Sequence, residues 1–305
     1  MKNAVAPIKS RYNRHTTAEE VTEGIDLHGK TAVITGVNSG LGLETMRVLS
    51  QRGAHIVACA RTMDKAQHAC TLVDGHTTPI ACDLSELPAV ARAGEQIAAI
   101  GAPIDMLICN AGIMALPTLQ QKHGLELQFL TNHLGHFVLI KQLLAAVQDA
   151  TAGRIVLVSS MGHQHTVKGG IDFDNLDGHR KYDPWRFYGQ SKLANLLTAR
   201  ELARRLLGSG ASANAVHPGV IRTGLSRYTE GATANLIARL ARPFERTIAQ
   251  GAATQCYVAT HRDLKRVSGH YFADCNPAKS SAYGNDKALA QRLWQASEEL
   301  AADYF

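Results

Sequence analysis

The sequence predicts a doubly wound α/β domain, a parallel sheet with helices on both of its faces. Two observations predict it. Short runs that are apolar on both faces alternate with longer segments of helical period. The first such run leads straight into a glycine-rich turn that opens a helix, Thr35-Gly36-Val37-Asn38-Ser39-Gly40-Leu41-Gly42. Length agrees: 305 residues slightly exceed the roughly 250 to 300 at which one core stops growing, which suits one domain with an appendage. The division read from the chain is an N-terminal extension with a short helix, 1–28, and a single main domain, 29–305.

In chain order, strands are expected at 31–35, 54–60, 78–82, 104–109, 154–159, 212–217 and 269–272. These runs are short and mostly apolar on both faces, as strands covered on both sides are. Between them, helices are expected at 41–51, 85–100, 119–147 and 188–207. The last carries Leu193, Leu196, Leu197, Leu202, Leu206 and Leu207, close to the i, i+3, i+4 stripe of a core-facing helix, and stops at Gly208 and Gly210. Ahead of the first strand, Thr16-Thr17-Ala18-Glu19-Glu20 offers two overlapping capping boxes for a short helix. Residues 1–15 are expected to be loose. No internal repeat and no Ser/Pro-rich linker divides 30–305.

Composition removes several classes. With 45% hydrophobic and 19% charged residues the chain can bury an ordinary core, which excludes fibrous and low-complexity readings. The longest apolar stretches are one strand long, well short of the ~20 residues of a bilayer-spanning helix, so no transmembrane segment is expected. The first thirty residues carry Lys2, Lys9, Arg11, Arg14 and Lys30 without an apolar run, so a secretory signal is not expected and the cytoplasm is the expected location. Cys59, Cys70, Cys82, Cys109, Cys256 and Cys275 form no CxxC pair and read as reduced, structural thiols. The net charge of +6 suits an anionic cofactor, a membrane surface or nucleic acid equally, but no zinc-finger or RNA-platform motif accompanies it, so a nucleic-acid partner is not expected. Basic residues dominate 222–246, with Leu236, Ile237, Leu240 and Phe244 interleaved. That stretch reads as an amphipathic lid over an apolar pocket with weak contact to a membrane surface, or as a plain surface helix.

The chemistry sits at the ends of the strands. Glycines at 36, 40 and 42 permit a tight turn and let backbone N–H groups approach a pyrophosphate whose charge then lies at a helix N-terminus, which points to a dinucleotide. The second strand ends Ala58-Cys59-Ala60-Arg61, with no carboxylate where NAD-selective folds hold the ribose hydroxyls. A guanidinium at Arg61 would pair with a 2′-phosphate, which favours NADP(H) while leaving NAD(H) open; a solvated loop arginine is the alternative. Asp83 and Leu84 follow the third strand and Asn110-Ala111-Gly112 the fourth, on the rim where open α/β sheets bind ligands. Asp83 is equally suited to capping the next helix.

Tyr188-Gly189-Gln190-Ser191-Lys192 puts a phenol and an amine four apart, on one helix face. A phenol of ordinary pKa near 10 is a poor acid or base at neutral pH, and a fixed ammonium beside it is expected to favour the phenolate. The strand at 154–159 delivers Ser159 and Ser160 to the same rim, where a hydroxyl can orient a substrate oxygen. No GxSxG elbow surrounds them, so a hydrolase serine is not expected. His133 with His136, and His163 with His165, lack the HExxH or Cys/His pattern of a zinc site, so no metal is expected. His163 and His165 are expected on a loop near the site.

Taken together, the turn from Thr35 to Gly42, Asp83, Asn110-Ala111-Gly112, Asn132, Ser160, Tyr188 with Lys192, and Pro218-Gly219-Val220-Ile221-Arg222-Thr223 resemble the short-chain dehydrogenase/reductases over about residues 28 to 280. The lead-in from Thr16 to Leu27, the stretch from His163 to Leu176 and Ser191-Lys192-Leu193-Ala194-Asn195 are similar to the retinol-dehydrogenase-like branch. The resemblance implies a Rossmann-like fold, usually dimeric or tetrameric, with Asn132, Ser160, Tyr188 and Lys192 as the catalytic set. It also implies that Ser160 rather than Ser159 is catalytic, that Lys192 also holds the nicotinamide ribose, and that Asn132 positions a proton-relay water. Pro218, Gly219, Val220 and Thr223 would lie against the nicotinamide, and the branch's arginine after the second strand agrees with Arg61. Two departures stand out: the N-terminal membrane anchor of many retinol-type relatives is not seen, which weighs against retinoids themselves, and the interval from Met161 to Phe187 is long.

The activity expected from these residues is transfer of hydride between NADP(H) and a bulky apolar alcohol or carbonyl, with Tyr188 as general acid/base. Reduction of a C=C bond or a quinone on the same fold, or a non-catalytic NADP(H)-binding sensor, are the alternatives.

Overall fold

The computed structural model describes residues 6–7, 9–221 and 245–305. Eight strands form the central sheet: β1 (Thr31–Thr35), β2 (His55–Ala60), β3 (Thr77–Ala81), β4 (Met106–Cys109), β5 (Arg154–Val158), β6 (Ser212–His217), β7 (Tyr271–Ala273) and β8 (Asn276–Pro277). Their order is β8-β7-β6-β5-β4-β1-β2-β3, and every neighbouring pair is parallel except β7 with β8. The strand order reverses at β1, between β2 and β4. The crevice beyond the carboxyl ends of these strands is where an open sheet of this kind accepts a ligand.

Alternate residues of one strand enter different cores. Val33, Val57, Leu107, Ile155 and Leu157 belong to a cluster that packs against α4 (Leu87–Ala98), α5 (Gly135–Asp149) and α6 (Pro184–Arg205). Ala32, Ile34, Ile56, Ala58, Ile108 and Val156 belong to a second cluster, under α1 (Ala18–Val21), α2 (Gly40–Gln51), α3 (Met63–Cys70) and α7 (Ile248–Thr260). Both faces are therefore covered, which is why the central strands carry apolar residues on both faces. A last helix, α8 (Lys287–Leu300), packs on α6 and reaches α5, where Phe137 meets Trp294 edge-on at 4.8 Å.

Several expected boundaries move, each for a local reason. The helix expected at 119–147 is broken at its start by the two-stranded hairpin Gln121–Lys122 and Leu125–Glu126, which turns through His123 and Gly124 with positive φ of 51° and 70°. The Glu126 carboxylate then accepts from Phe129 N at 2.8 Å and opens the helix there. The first turns are π-helical, Leu130–Leu134, before α5 proper. Helix α4 begins at Leu87 rather than at 85, because Asp83 and Ser85 are spent in a turn and Pro88 suits only the first helical positions. Helix α6 begins four residues before Tyr188, where Asp183 accepts from Trp185 N and Arg186 N.

Residues 9–15 are not loose: Ser10 N donates to Asn276 Oδ1 at 2.8 Å, Asn276 Nδ2 donates to Tyr12 O at 2.9 Å, and the Tyr12 ring stands edge-on to Tyr257. The capping box at Thr17 and Glu20 forms and starts α1. Among the described residues no helix is long and apolar enough to cross a membrane. Arg222, Thr223 and nearly all of the expected lid at 222–246 lie outside the described residues.

Candidate active site

The β1–α2 turn is shaped by missing side chains. Gly36 and Gly40 have φ of 75° and 59°, where a Cβ is strained. A Cβ on Gly36 would lie 2.9 Å from Ala111 Cβ, and one on Gly42 would strike the Gly36 carbonyl and come within 2.6 Å of Asn110 Nδ2. The glycines thus let the turn press against the chain leaving β4, where Asn110 Nδ2 donates to Thr35 O at 2.9 Å. Ser39 is the N-cap of α2 but forms no side-chain cap bond, and Asn38 and Ser39 are exposed. Leu41 and Gly42 are buried just behind them. An open helix N-terminus behind a glycine cradle fits the pyrophosphate of a dinucleotide.

The other expected cofactor positions lie around this rim. Arg61 is exposed directly after β2, next to Thr62, which caps α3. Asp83 accepts from Ser85 N and Ser85 Oγ at 3.0 and 2.8 Å, while the N-cap of α4 is Glu86, so the capping role weighed for Asp83 is not the one it plays. Leu84 is buried, and its backbone leaves no room for a Cβ at Gly135. Pro218, Gly219 and Val220 follow β6; Gly219 has φ 95°, and a Cβ there would meet the Arg246 side chain.

Across the crevice, β5 ends at the two serines. Ser159 Oγ donates to Lys192 O at 2.7 Å, so its hydroxyl is spent holding α6 against the sheet. Ser160 Oγ accepts from Gly162 N at 3.0 Å and caps a short turn, and a hydrogen bond links its side chain to Tyr188. A Cβ on Gly162 would come within 3.0 Å of the Tyr188 ring, so this glycine is what lets the Ser160 turn close over the phenol. Lys192 Nζ donates to Val158 O at 3.0 Å and stands 5.8 Å from the centre of the Tyr188 ring. Asn132 lies in the π-helical turn with its amide fully engaged: Nδ2 donates to Ile113 O and Ser191 Oγ, both at 2.9 Å, and Oδ1 accepts from Ile113 N at 2.8 Å. Gly112 follows the Ala111 that meets the glycine turn and abuts the catalytic side, where a Cβ on it would lie 3.0 Å from Asn132 Oδ1 and 3.2 Å from Lys192 Nζ.

Electrostatics differ from the expectation on one point. Burial raises the Tyr188 phenol above its ordinary value, and the effect opposing it is the Ser160 hydrogen bond, not the neighbouring amine. Lys192 is itself pushed down to about 8 by burial, with its Nζ directed to a backbone carbonyl. At neutral pH the phenol therefore holds its proton, which fits a donor.

His133, His136 and His163 are tied into protein contacts. His163 Nδ1 donates to Ser160 O at 2.6 Å and its Nε2 accepts from Ser281 N, beside the site as expected. His133 Nε2 pairs with Ser297 Oγ at 2.8 Å, and His136 lies between Asn132 and Thr35. Sequence reading missed the exposed Met161 and Trp185, the latter edge-on to Tyr188 at 6.4 Å. Their only signal was position, one residue after Ser160 and three before Tyr188. It also missed Ser191 and Ile113 as the partners of Asn132.

A family model described as short chain dehydrogenase matches residues 30–173. The short-chain dehydrogenase TIC 32 A, chloroplastic, of Brassica napus is 41% identical over 304 residues, covering 96% of this chain and 95% of the relative. This chain belongs to the short-chain dehydrogenase family. Retinol dehydrogenase 12 of Mus musculus is 38% identical over 284 residues, covering 92% and 88% of the two chains, which places the protein in the retinol-dehydrogenase-like branch. Among solved structures, an uncharacterized protein from Mycobacterium paratuberculosis superposes with a TM-score of 0.75 at 33% identity, covering 92% of this chain and 97% of that one. A structure described as an NAD(P)-dependent gluconate 5-dehydrogenase from Beutenbergia cavernae, with NADP bound at low occupancy, has a TM-score of 0.63 at 26% identity, covering 82% and 96%. The protein is thus an oxidoreductase of a family that works with a nicotinamide cofactor on small molecules.

Proposed function

We propose that the protein is an NADP(H)-preferring oxidoreductase that interconverts a bulky apolar alcohol and its carbonyl, with Tyr188 as the general acid/base. The observation that carries this reading is the juxtaposition of Ser160, Tyr188 and Lys192 on one side of Gly112 with the glycine cradle on the other. When bound, the nicotinamide cofactor supplies or accepts the hydride. Gly36 to Gly42 and the N-terminus of α2 would hold its pyrophosphate, Arg61 its 2′-phosphate, and Asn110 to Gly112 with Pro218 to Val220 would line the path to its reactive end.

In the reducing direction Ser160 holds the substrate oxygen and Tyr188 gives up its phenolic proton to that oxygen, so one O–H bond breaks as another forms. Burial keeps the proton on Tyr188 until then. Lys192, charged at neutral pH and fixed on Val158 O, stabilises the phenolate left behind. The exposed Met161 and Trp185 beside this centre support an apolar substrate.

The test is a panel of bulky apolar ketones and aldehydes, run beside enones and quinones, with NADPH and with NADH. Turnover of the ketones and aldehydes that is faster with NADPH is expected. Turnover confined to enones or quinones, or none with any acceptor, would overturn the reading.

A further inference from the structure

His136 is fully buried one helical turn after Asn132, and every polar atom around it has a partner that fixes the direction of its hydrogen bond. Its Nδ1 lies 2.9 Å from the Asn132 carbonyl oxygen. A carbonyl only accepts, so Nδ1 carries a hydrogen. Burial pushes the imidazole down to about 4, so at neutral pH it carries no second hydrogen and Nε2 is a bare acceptor. Thr35 Oγ1, 2.8 Å from Nε2, must therefore donate to it. A longer approach of the same hydroxyl to Ile108 O, at 3.5 Å, is the weaker use of its one hydrogen. With that hydrogen committed, the lone pairs of Thr35 Oγ1 accept from Asn110 N at 2.9 Å and Ala111 N at 3.0 Å. One directed chain results: the backbone of 110 and 111 donates to Thr35, Thr35 to His136, and His136 to Asn132.

We propose that His136 is a positioning residue that sets the two sides of the cleft relative to each other, fixing the Asn132 carbonyl directly and the Asn110–Ala111 backbone through Thr35. Beyond the π-helical backbone, the Asn132 side chain is held by Ile113 and Ser191, and Asn110 by its side chain to Thr35 O and its N–H to Ile108 O. The imidazole adds a side-chain tie to the Asn132 carbonyl and, through Thr35, to the Asn110–Ala111 backbone. A buried histidine that merely filled space would need only one satisfied nitrogen, as His133 shows: it pairs with Ser297, and its Nδ1 has no partner. The inference rests on the active-site reading above in treating these two sides as one cleft.

The full-length protein labelled with 15N-histidine gives the direct test by NMR: His136 is expected to carry its hydrogen on Nδ1 and none on Nε2. Thr35→Val leaves Ala111 N and Nε2 without partners and Asn110 N with Ile108 O alone, and is expected to weaken NADPH binding, read by fluorescence titration, about tenfold. Thr35→Ser keeps the hydroxyl and is expected to recover most of that affinity. Where turnover is measurable, Thr35→Val should also lower kcat about tenfold or more through misplacement. A hydrogen on Nε2, NADPH affinity unchanged in Thr35→Val, or Thr35→Ser as weak as Thr35→Val would each overturn the inference. A wild-type protein that turns over no carbonyl would sink the activity reading instead, leaving the tautomer and the NADPH affinities to decide this one.

Discussion

The two sides of the cleft are made by opposite means. On the glycine side the working surface is backbone: Gly36, Gly40 and Gly42 are defined by the Cβ atoms they lack, and Asn38 and Ser39 are exposed. Across from it the working surface is buried side chains, with Tyr188 and Lys192 withdrawn from water and their proton affinities moved by that withdrawal. Binding a charged, flexible cofactor calls for close approach and many weak backbone donors. Moving a proton calls for one group whose charge state is controlled. The difference teaches that substitutions on the first side should act on affinity, and those on the second on turnover.

Ser160→Ala breaks the comparison most strongly if it is right. Loss of the hydroxyl that orients the substrate oxygen is expected to lower kcat about 10²- to 10³-fold, with NADPH affinity nearly unchanged in a fluorescence titration. A matching loss of affinity would erase the distinction between the sides. Gly42→Ala is the mirror experiment. Its Cβ has no space between Gly36 O and Asn110 Nδ2, so overpacking should cost about 1–3 kcal/mol, seen as a lowered unfolding midpoint together with weakened cofactor binding. A variant that binds NADPH like the wild type would show that the cradle is not the binding surface.

Arg61→Ala sharpens the glycine side further. Removing a guanidinium from a 2′-phosphate is expected to shift the NADPH-over-NADH preference roughly tenfold, and an unmoved preference would reduce Arg61 to a solvated loop residue. At Lys192 the effect is on stability rather than on binding or turnover. Its value is about 8 in the folded protein against an ordinary 10.5, so between those pH values the unfolded chain binds a proton that the native one does not, and stability rises with pH through that window. Denaturant titrations of the wild type against Lys192→Met across pH 8 to 10.5 should show that rise only in the wild type.

The same contrast explains what was legible in the sequence. The central strands could be read because runs such as Ile155 to Val158 are covered on both faces, and the glycine turn because only backbone geometry demands that spacing. Helices α3, α7 and α8 were not read: α3 and α8 start from single polar caps, Thr62 and Asp286, and α7 is so evenly rich in small residues that it shows no stripe. The residues that meet near Gly112 each follow a strand end or lie on α6 or the π-helical turn. The direction of the Tyr188 shift was not foretold, because it depends on burial and on Lys192 Nζ turning to Val158 O, which no spacing encodes. Residues 9–15 were misjudged for the same reason: their anchors, Asn276 and Tyr257, lie far along the chain.

The claim on which the rest depends is that the Tyr188 hydroxyl delivers the proton. It is tested most directly by Tyr188→Phe, which keeps the ring that Gly162 and Trp185 pack against, measured for NADPH affinity and for ketone turnover in the same preparation. The account predicts wild-type affinity with nearly all turnover gone. Turnover close to the wild-type rate would contradict it.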